Sequence, residues 1–228
     1  KLAPASVRLV GKTLKSGWLT TGPAVEQFES GISKLLVMKH FAAVNSATSG
    51  LTLALRAIGV RPGSEVITSP FSFVAGVESI LNLGATPVLA DIDPDTLNID
   101  PSEVETKFTK RTAAILPVDI AGYPCDYGRL RRIAKGHGVP IVSDSAHALG
   151  AMFHGKSIPH WTDLSVFSFH ATKNLTCGEG GMVISRNKKS IERIRLWSKH
   201  GMTACAYERK KKGSWSYDVA EHGFDGRG

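Results

Sequence analysis

Lys173 stands in the run Ser168-Phe169-His170-Ala171-Thr172-Lys173-Asn174, and Gly178-Glu179-Gly180-Gly181 follows closely. Upstream, Val139-Pro140-Ile141-Val142-Ser143-Asp144 is a short apolar run ending in an acid. An amine, a strand-end carboxylate and hydroxyls able to hold a phosphate are the groups a pyridoxal phosphate (PLP) site requires. In that chemistry the lysine joins the cofactor aldehyde as a Schiff base. The acid pairs with the pyridinium nitrogen, and the hydroxyls anchor the phosphate. An amine must be partly neutral to attack an aldehyde, so its setting has to be desolvated or electropositive. The three glycines after Lys173 permit a tight turn close to a ligand.

The elements that must position these groups alternate along the chain. Apolar residues at Val25, Phe28, Ile32, Leu35 and Leu36 predict a helix over Ala24–Val37. Leu51, Leu53, Leu55 and Ile58 predict a second helix from about Thr48, with Gly59 as its stop. Glu65–Thr68 reads as a strand, Val74–Leu83 as a helix and Pro87–Ala90 as the next strand. A helix opened by Pro101 after Asp100 follows, then a strand at Ala113–Leu116 and a helix at Cys125–His137. Val139–Ser143, Leu164–Ser168 and Met182–Ser185 read as strands, and Asn187–His200 as an amphipathic helix. Short apolar runs alternating with helices predict an α/β domain with a mostly parallel sheet flanked by helices. Ligands gather outside the carboxyl ends of such strands, where Asp144 and Ser168 would fall.

Bulk properties read as those of an ordinary soluble globular protein. The chain has 228 residues, with 42% hydrophobic and 21% charged content, enough for a sizeable core. No apolar stretch approaches the roughly 20 residues of a membrane span, and no signal-like segment opens the sequence. Cys125, Cys177 and Cys205 lie far apart without metal-ligand spacing, so no metal is expected and a reducing cytoplasm fits. The net charge of +8 draws on Lys188, Lys189, Arg193, Arg195, Lys199, Arg209, Lys210, Lys211 and Lys212. These read as a solvated helix face and loop, and they lack the interleaved aromatics of a nucleic-acid module. No nucleic-acid or membrane partner is expected.

Several motifs in order resemble the DegT/DnrJ/EryC1/StrS family of PLP-dependent sugar aminotransferases, within fold type I. They are Gly17-Trp18-Leu19-Thr20-Thr21-Gly22-Pro23, Asn45-Ser46-Ala47-Thr48-Ser49, Ser69-Pro70-Phe71-Ser72-Phe73-Val74-Ala75, Ser143 through Ala151, and the lysine motif. The resemblance implies that Lys173 is the Schiff-base lysine and Asp144 the partner of the pyridine nitrogen. It places Ala47, Thr48 and Ser49 in a phosphate-binding turn at a helix N-terminus, with Ser168 as a further phosphate ligand. Phe73 would stack on the pyridine ring, and His147 would sit near the phenolic oxygen, where the family often has glutamine. Each residue has a plainer reading by itself. Asp144, Thr48 and Ser49 could be helix caps, His147 and Phe73 core residues, and Lys173 a surface lysine.

The implied reaction moves an amino group, with glutamate as donor, to a nucleotide-linked keto sugar in a homodimer. Alternatives are a non-catalytic binding or regulatory protein on this fold, or a sugar dehydratase relative. In the dehydratases a histidine replaces the lysine, and Lys173 argues against that reading. Two departures stand out. Asp119, in Val118-Asp119-Ile120-Ala121-Gly122, occupies a position where many relatives carry histidine. Asp225 stands where relatives often have asparagine, in a segment (Gly223 to Gly228) resembling a loop that reaches the partner subunit's phosphate. Residues 1–228 are expected to form the large PLP-binding domain with an N-terminal segment. The resemblance leads us to expect that the smaller C-terminal domain of relatives lies outside these residues, which would leave apolar surface uncovered.

Overall fold

The computed structural model describes residues 3–213 and 215–227. Gly228 and the Lys212 side chain, both named above, lie outside the described residues. The strands are β1 (His40–Val44), β2 (Glu65–Thr68), β3 (Thr86–Leu89), β4 (Thr112–Leu116), β5 (Val142–Asp144), β6 (Met152–Phe153), β7 (Lys156–Ser157), β8 (Leu164–Ser168) and β9 (Gly181–Ser185). The helices are α1 (Pro4–Ser16), α2 (Pro23–Leu36), α3 (Ala47–Ala57), α4 (Ala75–Leu81), α5 (Pro101–Thr106), α6 (Tyr127–His137), α7 (Lys188–Trp197) and α8 (Ala206–Lys212).

One ladder runs β3-β2-β4 and another β5-β8-β9-β1. Parallel bridges Ile115–Ile141 and Val118–Asp144 join β4 to β5, so the strands form one continuous surface. Within this surface, among the described residues, only β9 runs against its neighbours, pairing antiparallel with both β8 and β1. The pairs β2–β3, β2–β4 and β5–β8 are parallel, as the alternation of strands and helices predicts. A separate small hairpin joins β6 to β7.

Side chains alternate across this surface with the strand period of two. Val66, Ala114, Leu116, Val166 and Val183 face a layer built from Leu51, Leu53 and Leu55 of α3 with Ile191, Ile194 and Trp197 of α7. On the opposite face Ile67 and Ile115 meet Val104 of α5 and Tyr127, Leu130 and Ala134 of α6. Beside them Phe167, Met182 and Ile184 pack on Ile32 and Leu36 of α2. Each fully buried aliphatic side chain contributes about 1.5–3 kcal/mol, so these two layers hold the strand ends in register.

Two glycines let α3 lie close to the sheet. A Cβ on Gly50 would stand 2.9 Å from Val166 Cγ1, and one on Gly181 would stand 2.5 Å from the Ser46 carbonyl carbon. The helix start and the end of the lysine loop therefore meet backbone to backbone.

The structure adds elements that the periodicity does not reveal: α1, β1, the β6–β7 hairpin and α8. Helix α1 opens on Pro4 and stops at Gly17, which takes a left-handed φ of 74°. It buries no residue, and Val7, Leu9, Val10 and Leu14 stay exposed. Boundaries also shift. The helix read as Val74–Leu83 spans Ala75–Leu81, and that read from Cys125 starts at Tyr127, capped by Asp126 accepting from the Arg129 N–H. The strand read as Val139–Ser143 is Val142–Asp144, so Asp144 itself ends it.

The basic cluster is less solvated than the sequence suggests. Arg195 pairs with buried Glu29 at 2.6 Å and donates to the Phe41 carbonyl, while Lys199 bonds Glu208 at 3.2 Å. Arg193 lies over the Trp197 ring. Arg195 and Lys199 thus tie α7 and the residues after it to other elements, while the Arg193 contact lies within α7. Among the described residues no helix is long and apolar enough to cross a membrane.

Replacing Gly181 with alanine should cost about 1–3 kcal/mol in urea unfolding, because the added methyl must displace the backbone at the start of α3. Wild-type stability in that variant would contradict the close approach.

Candidate active site

The carboxyl ends of β4, β5 and β8 and the N-terminus of α3 surround a cavity of about 360 Å³. Lys173, Asp144, His147, Ser168, Phe73, Ala47 and Thr48 all line it, so residues far apart in sequence converge on one space.

Asp144 is the last residue of β5 and is buried. Its Oδ1 accepts from the Ala146 N–H at 3.1 Å. Burial pushes its carboxyl above the usual range, while the Ala146 N–H and the Lys173 charge pull it back down. A buried carboxylate in this state favours a cationic neighbour.

Lys173 follows β8 in a compact turn. Its N–H donates to the His170 carbonyl at 3.0 Å, and the turn closes through Cys177 N–H to Phe169 O and Phe169 N–H to Gly180 O. Nζ donates to His147 Nε2 at 2.6 Å. Burial, then the Lys173 charge, hold the His147 imidazole below its ordinary pKa, which keeps that nitrogen an acceptor. Asn174 donates from Nδ2 to the His147 carbonyl at 3.3 Å, tying the lysine turn to the loop beyond Asp144.

Helix α3 begins at Ala47 with Ser46 as its cap, whose Oγ accepts from the Ser49 N–H at 3.1 Å. The first N–H groups of a helix lack intrahelical acceptors and attract an anion. Ser46, Ala47 and Thr48 line the cavity, whereas Ser49 is not on its wall and takes a hydrogen bond from the Ser46 hydroxyl at 3.2 Å. Ser168 ends β8 at the same wall, and its Oγ accepts from the His170 N–H at 3.3 Å. Phe73 reaches the cavity from the loop before α4, with 76% of its surface exposed. Its ring is not a core side chain.

The donor set suits PLP. An amine and a buried carboxylate share one cavity, and an anion-seeking helix end with a serine hydroxyl stands ready for a phosphate. Ser46, Asp119, Ile120, His170 and Glu179 also border the space. Ser46 was legible as a cap directly before an apolar-periodic run; Ile120 carries no sequence signal. Among the described residues no group of three or more His, Cys, Asp or Glu is placed to hold a metal ion.

Comparison with known proteins agrees with this geometry. Residues 2–227 match the DegT/DnrJ/EryC1/StrS aminotransferase family. The chain is 44% identical over 230 residues to the spore coat polysaccharide biosynthesis protein SpsC of Bacillus subtilis, covering 97% of this chain and 59% of SpsC. Among solved structures it superposes on a Streptococcus pneumoniae protein in its PLP-form with a TM-score of 0.91 and 34% identity, covering 99% of this chain and 61% of that one. It also superposes on DesI, solved in the presence of its TDP-sugar product, with a TM-score of 0.87 and 34% identity, covering 100% of this chain and 55% of DesI. The chain thus spans about three fifths of the length of these relatives. Its fold is that of the fold type I PLP-dependent transferases, and the chain belongs to the DegT/DnrJ/EryC1/StrS aminotransferase family.

Proposed function

We propose that the protein is a PLP-dependent aminotransferase that moves an amino group from glutamate to a nucleotide-linked keto sugar. Residues 1–228 supply the large, cofactor-binding domain. The observation that carries this reading is the meeting of Lys173, Asp144 and the N-terminus of α3 on one cavity.

When bound, PLP would supply the electron sink that makes the donor's α-proton removable. Lys173 provides the amine that holds the aldehyde. Lys173 Nζ, when not joined to the aldehyde, would move the donor's α-proton, first as base and then as acid. Asp144 would hold a proton on the pyridine nitrogen. The N–H groups of Ala47 and Thr48, with the hydroxyls of Thr48 and Ser168, would hold the phosphate, and Phe73 would cover the ring, while Ser49 stays with its cap. His147 steadies the Lys173 amine and would stand near the cofactor's phenolic oxygen.

The nucleotide-sugar assignment is supported by DesI, which was solved with a TDP-sugar product, and by the polysaccharide role named for SpsC. The net charge of +8 suits an acceptor carrying a diphosphate. A cytoplasmic homodimer is part of the same proposal, since family sites draw groups from both subunits.

The test is a half-reaction. PLP-loaded protein mixed with glutamate should release one 2-oxoglutarate per site and leave pyridoxamine phosphate. Asp144→Ala should slow that release about a hundredfold or more, because the ring loses its charge partner. Absence of keto acid from the wild-type protein would contradict the assignment.

A further inference from the structure

Asp119 lies three residues beyond the end of β4, is 1% exposed and borders the cavity. Its side chain is fully engaged on three sides. Oδ1 accepts from the Tyr127 hydroxyl at 2.8 Å and from the Cys125 N–H at 3.0 Å, and Oδ2 accepts from the Ser145 hydroxyl at 2.7 Å. Its own N–H donates to the Asp144 carbonyl at 3.0 Å. Three residues on, Gly122 has a left-handed φ of 84° and sits so close to the next turn that a Cβ would stand 2.7 Å from the His147 carbonyl oxygen. The segment 119–122 therefore grips the segment 144–147 at both ends.

Building on the PLP reading above, we propose that Asp119 is a positioning residue. Its carboxylate, anchored through Tyr127 at the start of α6 and Cys125 just before it, clamps Ser145 and thereby fixes Asp144 and His147 against the cofactor ring. A neutral side chain of the same shape would leave one acceptor oxygen for Tyr127 and Cys125 and turn a donor toward Ser145, reversing that bond. The clamp depends on charge as well as shape.

The titratable groups around Asp119 are Asp144 from β5, Cys125 just before α6, Tyr127 at its start, and His147 and Lys173 across the cavity. Burial pushes Cys125 and Tyr127 well up, so both stay neutral near pH 7. Burial also pushes the Asp119 carboxyl up to about 6, against its three hydrogen bonds, and the Asp144 charge adds to the rise. Asp119 therefore gains a proton within an accessible pH range, and Asp119→Asn imitates that protonated form.

Two effects of opposite sign follow. A folded-state pKa raised from 3.8 to about 6 contributes stability below pH 4 that is lost as pH rises through 6. Cofactor binding, in contrast, should strengthen over the same rise as the clamp becomes charged.

The experiment is PLP titration of the wild-type protein, Asp119→Asn, Ser145→Ala and the double variant at pH 5.5 and 7.5, with urea unfolding of the PLP-free proteins across pH 4–7. At pH 7.5 Asp119→Asn should bind PLP about tenfold more weakly, the size of one hydrogen bond to a charged group, while still attaching it at Lys173. At pH 5.5 the ratio to wild type should shrink toward one. Ser145→Ala should weaken binding at pH 7.5 by a similar factor, and the double variant should add little to either loss. The unfolding slope between pH 4 and 7 should flatten in Asp119→Asn.

A ratio of one at both pH values, an equal loss at both, or additive losses in the double variant would overturn the clamp. Should Asp119→Asn fail to fold, Ser145→Ala decides: wild-type affinity there refutes the proposal, and a loss confined to the higher pH supports it. Wild-type protein that takes up no PLP would sink the site reading and this inference together, whereas normal wild-type uptake with an unaffected variant sinks the inference alone.

Discussion

A carboxylate taken out of water must find a cation or surrender its charge, and Asp144 is placed where that choice matters. It ends β5 inside the molecule, with one backbone N–H on its side chain and the Lys173 amine as the opposing charge that favours its ionised form. The rest of the architecture serves that arrangement. Parallel strands bring β4, β5 and β8 to a common end, the reversed strand β9 returns the lysine loop to the sheet, and α3 presents its N-terminus across the same opening. On the proposed reading, a pyridinium nitrogen beside the acid would supply that positive partner.

Placement to this accuracy comes from packing on both faces. The alternation of Val66 with Ile67, and of Val166 with Phe167, sends neighbouring side chains into separate cores, so the strands cannot slip by one residue without exposing both. Gly181 and Gly50 then bring helix and strand closer than any side chain would allow. Polar links complete the job between loops. Lys173 to His147, Asn174 to the His147 carbonyl and Asp119 to Ser145 join three loops that the sequence separates by dozens of residues.

Much of this was readable in the chain. Apolar runs at Leu164–Ser168 and Glu65–Thr68 named their strands to the residue, since a buried strand is a contiguous apolar or β-branched run. The acid ending one run and the lysine beyond another pointed to a shared strand end. Elements without such contrast were invisible. His40-Phe41-Ala42-Ala43-Val44 is a strand because β9 offers it a partner, and α1 buries nothing that would give it a periodic face. Within the site, Thr48 and Ser49 looked alike as hydroxyls beside a helix start, yet only Thr48 reaches the cavity while Ser49 turns to its cap. Asp119 was visible as a departure from its relatives, but its bonds to Tyr127 and Ser145 depend on where α6 and β5 come to rest, which no local pattern encodes.

The central claim is that one amine, opposite one buried acid, carries the cofactor. Borohydride reduction of the PLP-loaded protein followed by peptide mapping tests it directly. The account predicts a single pyridoxyl label, on the peptide containing Lys173, and its loss when that lysine is replaced by alanine. A label on any other lysine, or one that survives the replacement, would contradict it.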